Sequence, residues 1–361
     1  MIKVGVIGVG DYGQQHLNVF SQREKNNKDI KVIGFAETNE ERRKKIELEY
    51  GYKGYDNYLD LIEYAKPDAI TIATPDHLHF KVVMDCLDKK IPSLVEKPFS
   101  TKVEEAKKMA EKAKQNNIFL QIDFHKRYDP YHIDLKMRIV QGELGKIQYG
   151  YCWMEDTLDV GTKIIGKKAW ENTGSPAWFL SIHQIDLTYW LMGCPKPLKV
   201  YANGFKGKLK SMGIDIYDSI KSNVMFDNGV VITYDSCVIL PNTHEALVHQ
   251  GVKMVGTEGF MEVDSQYRGA RGCTTIKGME TPNLGFKYRI YDKANNIQVR
   301  GYLYDSINDF IDNIYFLKSG HMINELKGLQ ASPEQGIEST KIGVAIHESI
   351  EKGGLVDISN W

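Results

Sequence analysis

The tetrapeptide Val95-Glu96-Lys97-Pro98 decides how the rest of this 361-residue chain is interpreted. The apolar residues 91–95 predict a buried strand, and Pro98 stops that strand. An ordinary surface lysine before a turn would give the same local pattern, because most lysines are exposed. In an open α/β sheet, however, ligands bind outside the carboxyl ends of the strands. The flanking motifs therefore decide whether Lys97 is a surface residue or a site residue.

Length and composition limit the possible classes of protein. A chain of 361 residues, 42% of them apolar, predicts two domains with sizeable cores. The formal net charge of −1 argues against a nucleic-acid partner, which requires a basic surface. The 5 cysteines are scattered and lack a Cys-x-x-Cys spacing, which favours reduced thiols and a cytoplasmic location. We find neither a signal peptide nor an apolar run long enough to span a membrane, so no membrane partner is expected.

A glycine motif opens the chain. Residues 2–7 predict a buried parallel strand and residues 14–21 a helix, with Gly8-Val9-Gly10-Asp11-Tyr12-Gly13 between them. In a dinucleotide-binding turn, the first glycine permits the tight turn, the second admits the pyrophosphate, and the third lets the helix approach the strand. The helix N-terminus adds N–H donors for the phosphates. We therefore expect cofactor contacts from Gly8, Gly10, Asp11, Tyr12 and Gly13.

An acidic residue stands at the expected distance from this motif. The second predicted strand, residues 30–36, is followed by Glu37, which lies 24 residues after Gly13 (37 − 13). That spacing suits the acid that binds the adenosine ribose hydroxyls. A carboxylate there repels a 2′-phosphate, so the sequence favours NAD and leaves NADP as the alternative. We interpret the basic run Arg42-Arg43-Lys44-Lys45 as the solvated face of a helix.

A third predicted strand, residues 68–74, leads into Thr74-Pro75-Asp76-His77-Leu78-His79. This turn places Thr74, Pro75 and His79 at the same sheet edge as the glycine motif, where we expect them beside the cofactor. The two histidines lack a third ligand at a metal-binding spacing, so no metal site is predicted. Strands and helices alternate up to residue 124, which predicts a doubly wound parallel sheet, that is, an α/β Rossmann domain.

These motifs occur together and in order: Gly8 to Gly13, Glu37, Ala73-Thr74-Pro75-Asp76-x-x-His79 and Glu96-Lys97-Pro98. The chain thereby resembles the glucose–fructose oxidoreductase/inositol dehydrogenase family of NAD(P)-dependent enzymes, over its whole length. The resemblance implies that Glu96 and Lys97 line the cofactor site and that Lys97 also lies beside the substrate hydroxyl. It further implies a cis peptide bond between Lys97 and Pro98.

The same resemblance assigns roles around residue 125. The family usually carries an asparagine where this chain has His125, and then an arginine that matches Arg127. We therefore expect Arg127 to contact the cofactor, and His125 and Tyr128 to contact the substrate. The alternative for His125 is a hydrogen-bonded hinge residue.

After residue 147 the pattern changes to strands without intervening helices. Strands are predicted at residues 147–154, 198–205, 219–226, 230–239 and 248–255, with Asp227-Asn228-Gly229 as a tight hairpin turn. This pattern predicts an α+β second domain with a large open, mainly antiparallel sheet. We place the domains at residues 1–124 and 125–361, with the last helix packed back on the first domain. The resemblance implies a homodimer or homotetramer formed through this sheet.

One predicted helix, residues 175–191, interrupts the strands. Four of its residues share a face because they are spaced four, three and four apart: Phe179, His183, Asp186 and Trp190. From the spacing alone, this face is a core stripe with a hydrogen-bonded histidine. The resemblance instead implies that His183 faces the substrate and works with Lys97. Phe179 is a departure, because the family's dehydrogenases normally carry an aspartate at that position.

Together these residues predict an enzyme that oxidises a secondary hydroxyl of a sugar, polyol or sugar derivative. Lys97 would accept or relay the hydroxyl proton as hydride leaves, and His183 would hydrogen-bond the same oxygen. Without the aspartate, either Asp156, Asp123 or Tyr128 assists, or Phe179 stacks on an apolar part of the substrate. Two alternatives stay open. One is redox-neutral glycoside cleavage or epimerisation through a transient keto sugar, and the other is a non-catalytic NAD-responsive regulator.

Overall fold

The computed structural model describes residues 1–166, 174–293, 295 and 297–361. This part of the chain forms two compact units, each built from segments that are distant in sequence. The first unit comprises Met1–Ser100, Glu104–His125 and Lys287–Glu334. The second comprises Thr101–Val103, Lys126–Phe286 and Gln335–Trp361.

Strands are numbered along the chain. The main sheet of the first unit contains β1 Ile2–Ile7, β2 Ile30–Ala36, β3 Gly54–Tyr55, β4 Ala69–Ile72, β5 Ser93–Glu96 and β6 Leu120–Asp123. The main sheet of the second unit contains β7 Ile147–Thr157, β8 Pro197–Phe205, β9 Ser219–Phe226, β10 Val231–Leu240, β11 Val248–Gly256 and β12 Phe260–Asp264. Two short ribbons follow, β13 Gly272–Thr274 with β14 Gly278–Glu280, and β15 Tyr288–Tyr291 with β16 Ile297–Arg300. The last strand, β17 Val356–Asp357, joins the second sheet.

The helices are numbered in the same way. They are α1 Asp11–Asn27, α2 Glu40–Tyr50, α3 Tyr58–Asp60, α4 His79–Asp88, α5 Val103–Gln115, α6 Pro130–Val140, α7 Ile182–Leu191, α8 Lys208–Ser211, α9 Tyr302–Lys318 and α10 Pro333–Lys352. Short π-helical segments lie at Leu61–Ala65, Val160–Ile165 and Ala177–Ser181. Turns of 3-10 helix lie at Asp76–Leu78, His125–Tyr128 and Ile323–Glu325. Among the described helices, none combines the length and apolar character needed to cross a membrane.

The sheet of the first unit has the strand order β3-β2-β1-β4-β5-β6, and all neighbouring strands in it are parallel. Every residue of β4 and β5 is buried, as expected for parallel strands that are covered on both faces. The chain runs outward from β1 to β3 and then returns to β4 on the other side of β1. Ligands of such sheets bind where the strand order reverses. The predicted Rossmann fold is confirmed.

The sheet of the second unit has the order β12-β11-β7-β10-β9-β8-β17. Its neighbouring strands are antiparallel except for β7 and β10, which are parallel. The predicted mainly antiparallel sheet is therefore confirmed. The predicted hairpin turn joins β9 to β10, where Gly229 has φ +83° and its N–H donates to the Phe226 carbonyl at 3.0 Å.

The helix that carries His183 is not uniform. The pattern predicted one α-helix over residues 175–191, whereas the structure has a π-helical segment, Ala177–Ser181, that continues into α7. A π-helical turn inserts one extra residue into the hydrogen-bond ladder, and such turns are often found at functional sites. The residue types of this stretch are compatible with either kind of helix, which is why the sequence did not reveal the π-helical segment.

The two C-terminal helices belong to different units. Helix α9 lies in the first unit, where Asp312 forms an ion pair with Arg23 of α1 at 2.6 Å. Almost all of α10 lies in the second unit, where the ring of His347 stacks on Trp178 at a centroid distance of 5.3 Å. The packing of the last helix on the first domain stays a prediction, and α9 is the C-terminal helix that belongs to the first unit. The tight approach of Trp178 to Gly343, on the same helix as His347, explains why α10 stays with the second unit.

Two leucines provide a matched test of the first core. Leu94 is fully buried in β5, whereas Leu48 on α2 is 88% exposed. We expect Leu94→Ala to lower the free energy of unfolding by about 2–5 kcal/mol, since it leaves a cavity in the parallel sheet. Leu48→Ala should change it by no more than about 0.5 kcal/mol. Denaturant unfolding of both variants measures the difference, and equal effects would contradict this assignment of the core.

Candidate active site

The glycine turn is shaped by close backbone contacts within the first unit. Gly8 has φ +82°, and a Cβ on it would meet the Ala73 carbonyl oxygen at 2.7 Å. A Cβ on Gly13 would lie 1.8 Å from the Gly8 carbonyl oxygen. Gly10 precedes α1 as its N-cap, and no heavy atom of the described residues lies within 4 Å of a Cβ built on it. The turn therefore leaves space above Gly10, beside the N-terminal amides of α1, where a phosphate can bind.

Glu37 is fixed at the end of β2. Its carboxylate accepts hydrogen bonds from the Val9 amide at 3.3 Å and from the Asn39 amide at 2.9 Å. Arg42 donates to the same carboxylate at 3.2 Å, and Arg43 donates to the Glu37 carbonyl oxygen at 2.7 Å. The basic run is thus more than a solvated helix face, because two of its arginines hold Glu37. The bond from Val9 places the acid directly beside the glycine turn.

His79 connects two of the predicted site turns. It is fully buried, with Nε2 3.0 Å from the Thr74 carbonyl oxygen and Nδ1 2.9 Å from the Pro98 carbonyl oxygen. The ring therefore spans from the turn at Thr74 and Pro75 to the turn that follows Lys97. These bonds supply a structural role, and the cofactor contact that we predicted for His79 stays a prediction.

Lys97 directly follows β5 and is only 8% exposed. Its amide donates to Oε2 of Glu96 at 3.2 Å, and the Lys97–Pro98 peptide bond is cis, as the resemblance implied. The other oxygen of Glu96 lies 3.0 Å from Nε2 of His16. The sequence analysis missed His16. The available signal was a histidine three residues after Gly13, at a helix position that faces the sheet.

His125, the last residue of the first unit, lies between two aromatic rings. It stacks on Tyr302 at a centroid distance of 5.7 Å and on Tyr12 of the glycine motif at 6.5 Å. The structure thus brings the predicted residues Tyr12 and His125 together. Tyr302 was not predicted, because it comes from α9, almost 180 residues further along the chain.

In the second unit, Arg127 forms a buried bidentate ion pair with Asp186. Its Nε and Nη2 donate to the two carboxylate oxygens at 2.8 and 2.6 Å, and Nη1 donates to Gln335 at 2.9 Å. Burial raises the pKa of Asp186, although the charge of Arg127 and its hydrogen bonds oppose that rise. This pair connects the segment after His125 to α7 and α10. The cofactor contact predicted for Arg127 stays a prediction.

The remaining predicted residues also lie in the second unit. Tyr128, Asp156 and His183 are buried, and His183 is the second residue of α7. Phe179 is partly buried and packs against an apolar cluster that includes Leu180, Val160 and Val238. A carboxylate at this position would be surrounded by hydrocarbon, which is costly unless it is paired. The apolar surroundings therefore match the replacement of the family's aspartate by phenylalanine.

Lys126 is a further polar residue that the sequence analysis did not single out. Its ammonium contacts Oε1 of Gln250 on β11, and the side chain is buried. Burial lowers the pKa of Lys126 to about 8, while the charges of Asp129 and Asp156 act in the opposite direction. A lysine with this pKa is partly neutral slightly above physiological pH.

A polar groove of about 370 Å³ lies elsewhere in the second unit and is lined by His244, His249, Glu245 and Arg271 among others. The His249 ring lies 2.9 Å from Glu155, and Arg271 pairs with Glu245 at 2.8 Å. These internal pairs satisfy the charged groups of the groove.

Comparison with known proteins places the chain in a family. Residues 2–124 match the profile described as "Oxidoreductase family, NAD-binding Rossmann fold", and residues 136–358 match "Oxidoreductase family, C-terminal alpha/beta domain". Inositol 2-dehydrogenase of Rubrobacter xylanophilus is 25% identical over 263 residues, which cover 73% of this chain and 71% of that protein. D-glucoside 3-dehydrogenase of Escherichia coli is 22% identical over an alignment of 374 positions, which covers 99% of this chain and 97% of that protein.

Solved structures show the same fold. Scyllo-inositol dehydrogenase from Lactobacillus casei, solved with bound NAD(H) and scyllo-inositol, has a TM-score of 0.81 at 17% identity and covers 100% of both chains. Myo-inositol 2-dehydrogenase from Lactobacillus plantarum has a TM-score of 0.79 at 21% identity and covers 99% of each chain. These likenesses support the architecture of both units.

Substitutions at two glycines of the turn test its role in stability and its role in cofactor binding separately. Gly13→Ala should lower the free energy of unfolding by about 1–3 kcal/mol, because its Cβ collides with the Gly8 carbonyl. Gly10→Ala should leave stability nearly unchanged, because its Cβ meets no atom of the described residues, yet it should raise the Kd for NAD at least about tenfold by filling the phosphate space. Denaturant unfolding and fluorescence titration with NAD measure both effects. Unchanged NAD affinity in Gly10→Ala would contradict this position for the phosphates.

Proposed function

The chain belongs to the glucose–fructose oxidoreductase/inositol dehydrogenase family of NAD-binding oxidoreductases, and we propose that it transfers a hydride between a secondary hydroxyl of a sugar, polyol or sugar derivative and NAD. The observation that carries this proposal is the buried Lys97, held at the end of β5 by Glu96. The turns at Thr74 and Pro98, linked by His79, belong to the same unit. Relatives named as inositol and glucoside dehydrogenases support the class of substrate.

The residues of the first unit fit NAD. The glycine turn and the start of α1 would hold the pyrophosphate, and the carboxylate of Glu37 would accept hydrogen bonds from the ribose hydroxyls. A carboxylate disfavours the additional phosphate of NADP, although Arg42 offsets part of its charge. When bound, NAD supplies the hydride acceptor.

Lys97 and His183 carry the proton chemistry in this proposal. The Lys97 amine accepts the proton of the substrate hydroxyl, and its backbone is fixed by the carboxylate of Glu96. His183 is assigned the hydrogen bond to the same substrate oxygen. His125, Tyr128 and Asp156 are assigned to substrate contacts and Arg127 to a cofactor contact. The ion pair with Asp186 holds the Arg127 guanidinium in place.

A second candidate function is oxidation of a glycoside at a ring hydroxyl, including redox-neutral cleavage or epimerisation through a keto sugar. Phe179 is compatible with this candidate, because it removes the carboxylate that the family's dehydrogenases normally carry at that position. Aromatic rings pack well on apolar groups such as an aglycone. The match to a D-glucoside 3-dehydrogenase over almost the whole chain also supports it.

We also propose that the chain forms a homo-oligomer through the sheet of the second unit. Cross-strand register places a set of exposed apolar side chains on one face of this sheet: Tyr149, Tyr151, Tyr201, Phe205, Met225 and Phe260. Large exposed apolar patches mark interaction surfaces. A second copy of the same face is the partner we assign, because symmetric pairing of one patch closes a dimer.

Turnover tests the proposed function directly. Purified protein would be mixed with NAD or NADP and with polyols, aldoses, uronates or aryl glycosides, and both NADH absorbance and aglycone release would be read. Lys97→Met should lower kcat/KM by about 10²–10⁴-fold, because the proton acceptor is lost. Lys107→Met, an exposed lysine paired with Glu104, is the matched control and should retain full activity.

The pattern of products separates the candidates. NADH formation that depends on Lys97 supports the dehydrogenase, whereas aglycone release without NADH supports the redox-neutral reaction. Tight NAD binding without turnover of any substrate would contradict both reactions and favour the regulator. Full activity of Lys97→Met would show that the lysine has been given the wrong role.

The oligomer is tested with two tyrosines of similar exposure. Tyr149 lies on the proposed face and Tyr64 in the first unit, and they are 52% and 71% exposed. Tyr149→Asp should shift the mass found by size-exclusion chromatography with light scattering toward the monomer, because it places a charge in an apolar contact. Tyr64→Asp should leave the mass unchanged. A monomeric wild-type protein at micromolar concentration would refute the proposal.

A further inference from the structure

Three buried titratable side chains meet within the first unit. His16 lies on α1, Glu96 is the last residue of β5, and Asp123 is the last residue of β6. They are 0%, 5% and 1% exposed, and one ligand-type atom from each lies within 4.8 Å of the others. Nε2 of His16 is 3.0 Å from Glu96 and 3.6 Å from Asp123. The two carboxyl groups, Glu96 and Asp123, are close enough that the charge of one raises the pKa of the other.

The cluster is connected to Lys97 through the backbone. One oxygen of Glu96 faces His16, and the other accepts the hydrogen bond from the Lys97 amide. Glu96 and Asp123 are direct partners in the parallel pairing of β5 and β6, so the register fixes their proximity. Of the three residues, Glu96 directly precedes the proposed catalytic lysine, and His16 and Asp123 contact or pair with Glu96.

Lys97, the one lysine that acts on Glu96, does not by itself balance the buried carboxyl groups of this region. The charged groups that act on Glu96 are His16, His125 and Lys97, and the hydroxyl of Ser306 on α9 acts on Asp123. Asp76, on the turn after β4, adds a further carboxylate that interacts with Lys97 and Glu96. An unpaired buried charge is costly, so one carboxyl of such a pair keeps a proton.

Hydrogen bonding decides which carboxyl keeps the proton. Burial alone would raise the pKa of Glu96, but the hydrogen bond from His16 and the neighbouring positive charges lower it. For Asp123, burial and the adjacent charge of Glu96 raise the pKa to about 7. Both oxygens of Asp123 are buried, and neither has a hydrogen-bond partner within 3.5 Å among the described residues, so the Ser306 hydroxyl acts from a longer distance.

We propose that His16, Glu96 and Asp123 share a buried proton next to Lys97, and that Asp123 is a positioning residue whose protonation sets the charge felt by that lysine. The catalytic part of this inference rests on the proposed function of Lys97. Ionised Asp123 adds a negative charge that favours the ammonium form of Lys97. Protonated Asp123 removes that charge and favours the neutral amine, which is the form that accepts a proton.

The first test does not depend on activity. A carboxyl that keeps its proton to about pH 7 when folded, against 3.8 when unfolded, makes the folded state less stable as pH rises through that window. The Asp123→Asn variant should not show this decline in stability, because the asparagine amide does not titrate. Its free energy of unfolding relative to wild type should therefore increase from about pH 4 to about pH 7 and then level off. A difference that stays constant with pH would overturn the shared proton.

A second variant protects the test if Asp123→Asn fails to fold. His16→Gln keeps an N–H donor near Glu96 but cannot carry a positive charge. Without that charge the two carboxylates should hold their proton to higher pH, so the decline in stability should extend above the wild-type window. An unchanged pH dependence in His16→Gln would also overturn the proposal.

The second test uses the pH profile of kcat/KM on a substrate found by the turnover screen. In Asp123→Asn the rising limb of the kcat/KM profile should move to lower pH by about 0.5–1 unit. This shift corresponds to about three to ten times more neutral Lys97 at a fixed pH on that limb. A limb that does not move would overturn the positioning role. If the wild type turns over no substrate, the proposed function fails, while the stability test still decides the shared proton.

Metal analysis tests the remaining alternative, which is that the cluster binds a metal ion. A histidine and two carboxylates can bind a divalent cation in place of the proton. We expect no stoichiometric metal in the purified protein. One bound equivalent that is lost in His16→Gln would overturn the proposal and assign the cluster to a cation.

Discussion

The close approach of helix α1 to the loop after β1 is the constraint on which the first unit depends. Only a glycine at position 13 can lie against the Gly8 carbonyl oxygen, since a Cβ there would come within 1.8 Å of it. This contact fixes the axis of α1, and the helix then positions several groups at once. Its first turn presents Tyr12 to His125, its second presents His16 to Glu96, and Arg23 pairs with Asp29 and Asp312.

Much of this arrangement could be predicted from the sequence, because the signals are local. The glycine turn, Glu37 and Glu-Lys-Pro each occupy a few consecutive residues whose backbone demands are visible in the residue types. The alternation of strands and helices predicted the parallel sheet of the first unit. The strands without intervening helices predicted the mainly antiparallel sheet of the second unit. The parallel pair of β7 and β10 was not foreseen, because strand propensity does not encode direction.

The contacts that were missed join residues far apart in the chain. His16, Glu96 and Asp123 come from three elements, and Tyr302 joins His125 from a segment that returns after the second unit. For the basic run, residue spacing predicts that Arg42 lies on a helix surface. It does not predict that the Arg42 side chain contacts Glu37. Pair contacts of this kind depend on tertiary packing, for which a single sequence carries no direct signal.

The aromatic stack on His125 has a consequence for motion. Tyr12 belongs to the glycine turn, His125 is the residue at which the chain leaves the first unit, and Tyr302 begins α9. Local opening at His125 breaks both of these stacks at once. Amide hydrogens around Tyr12 and at the start of α9 should therefore exchange with solvent as one cooperative group, and a ligand that orders the turn would slow exchange in a helix almost 300 residues away.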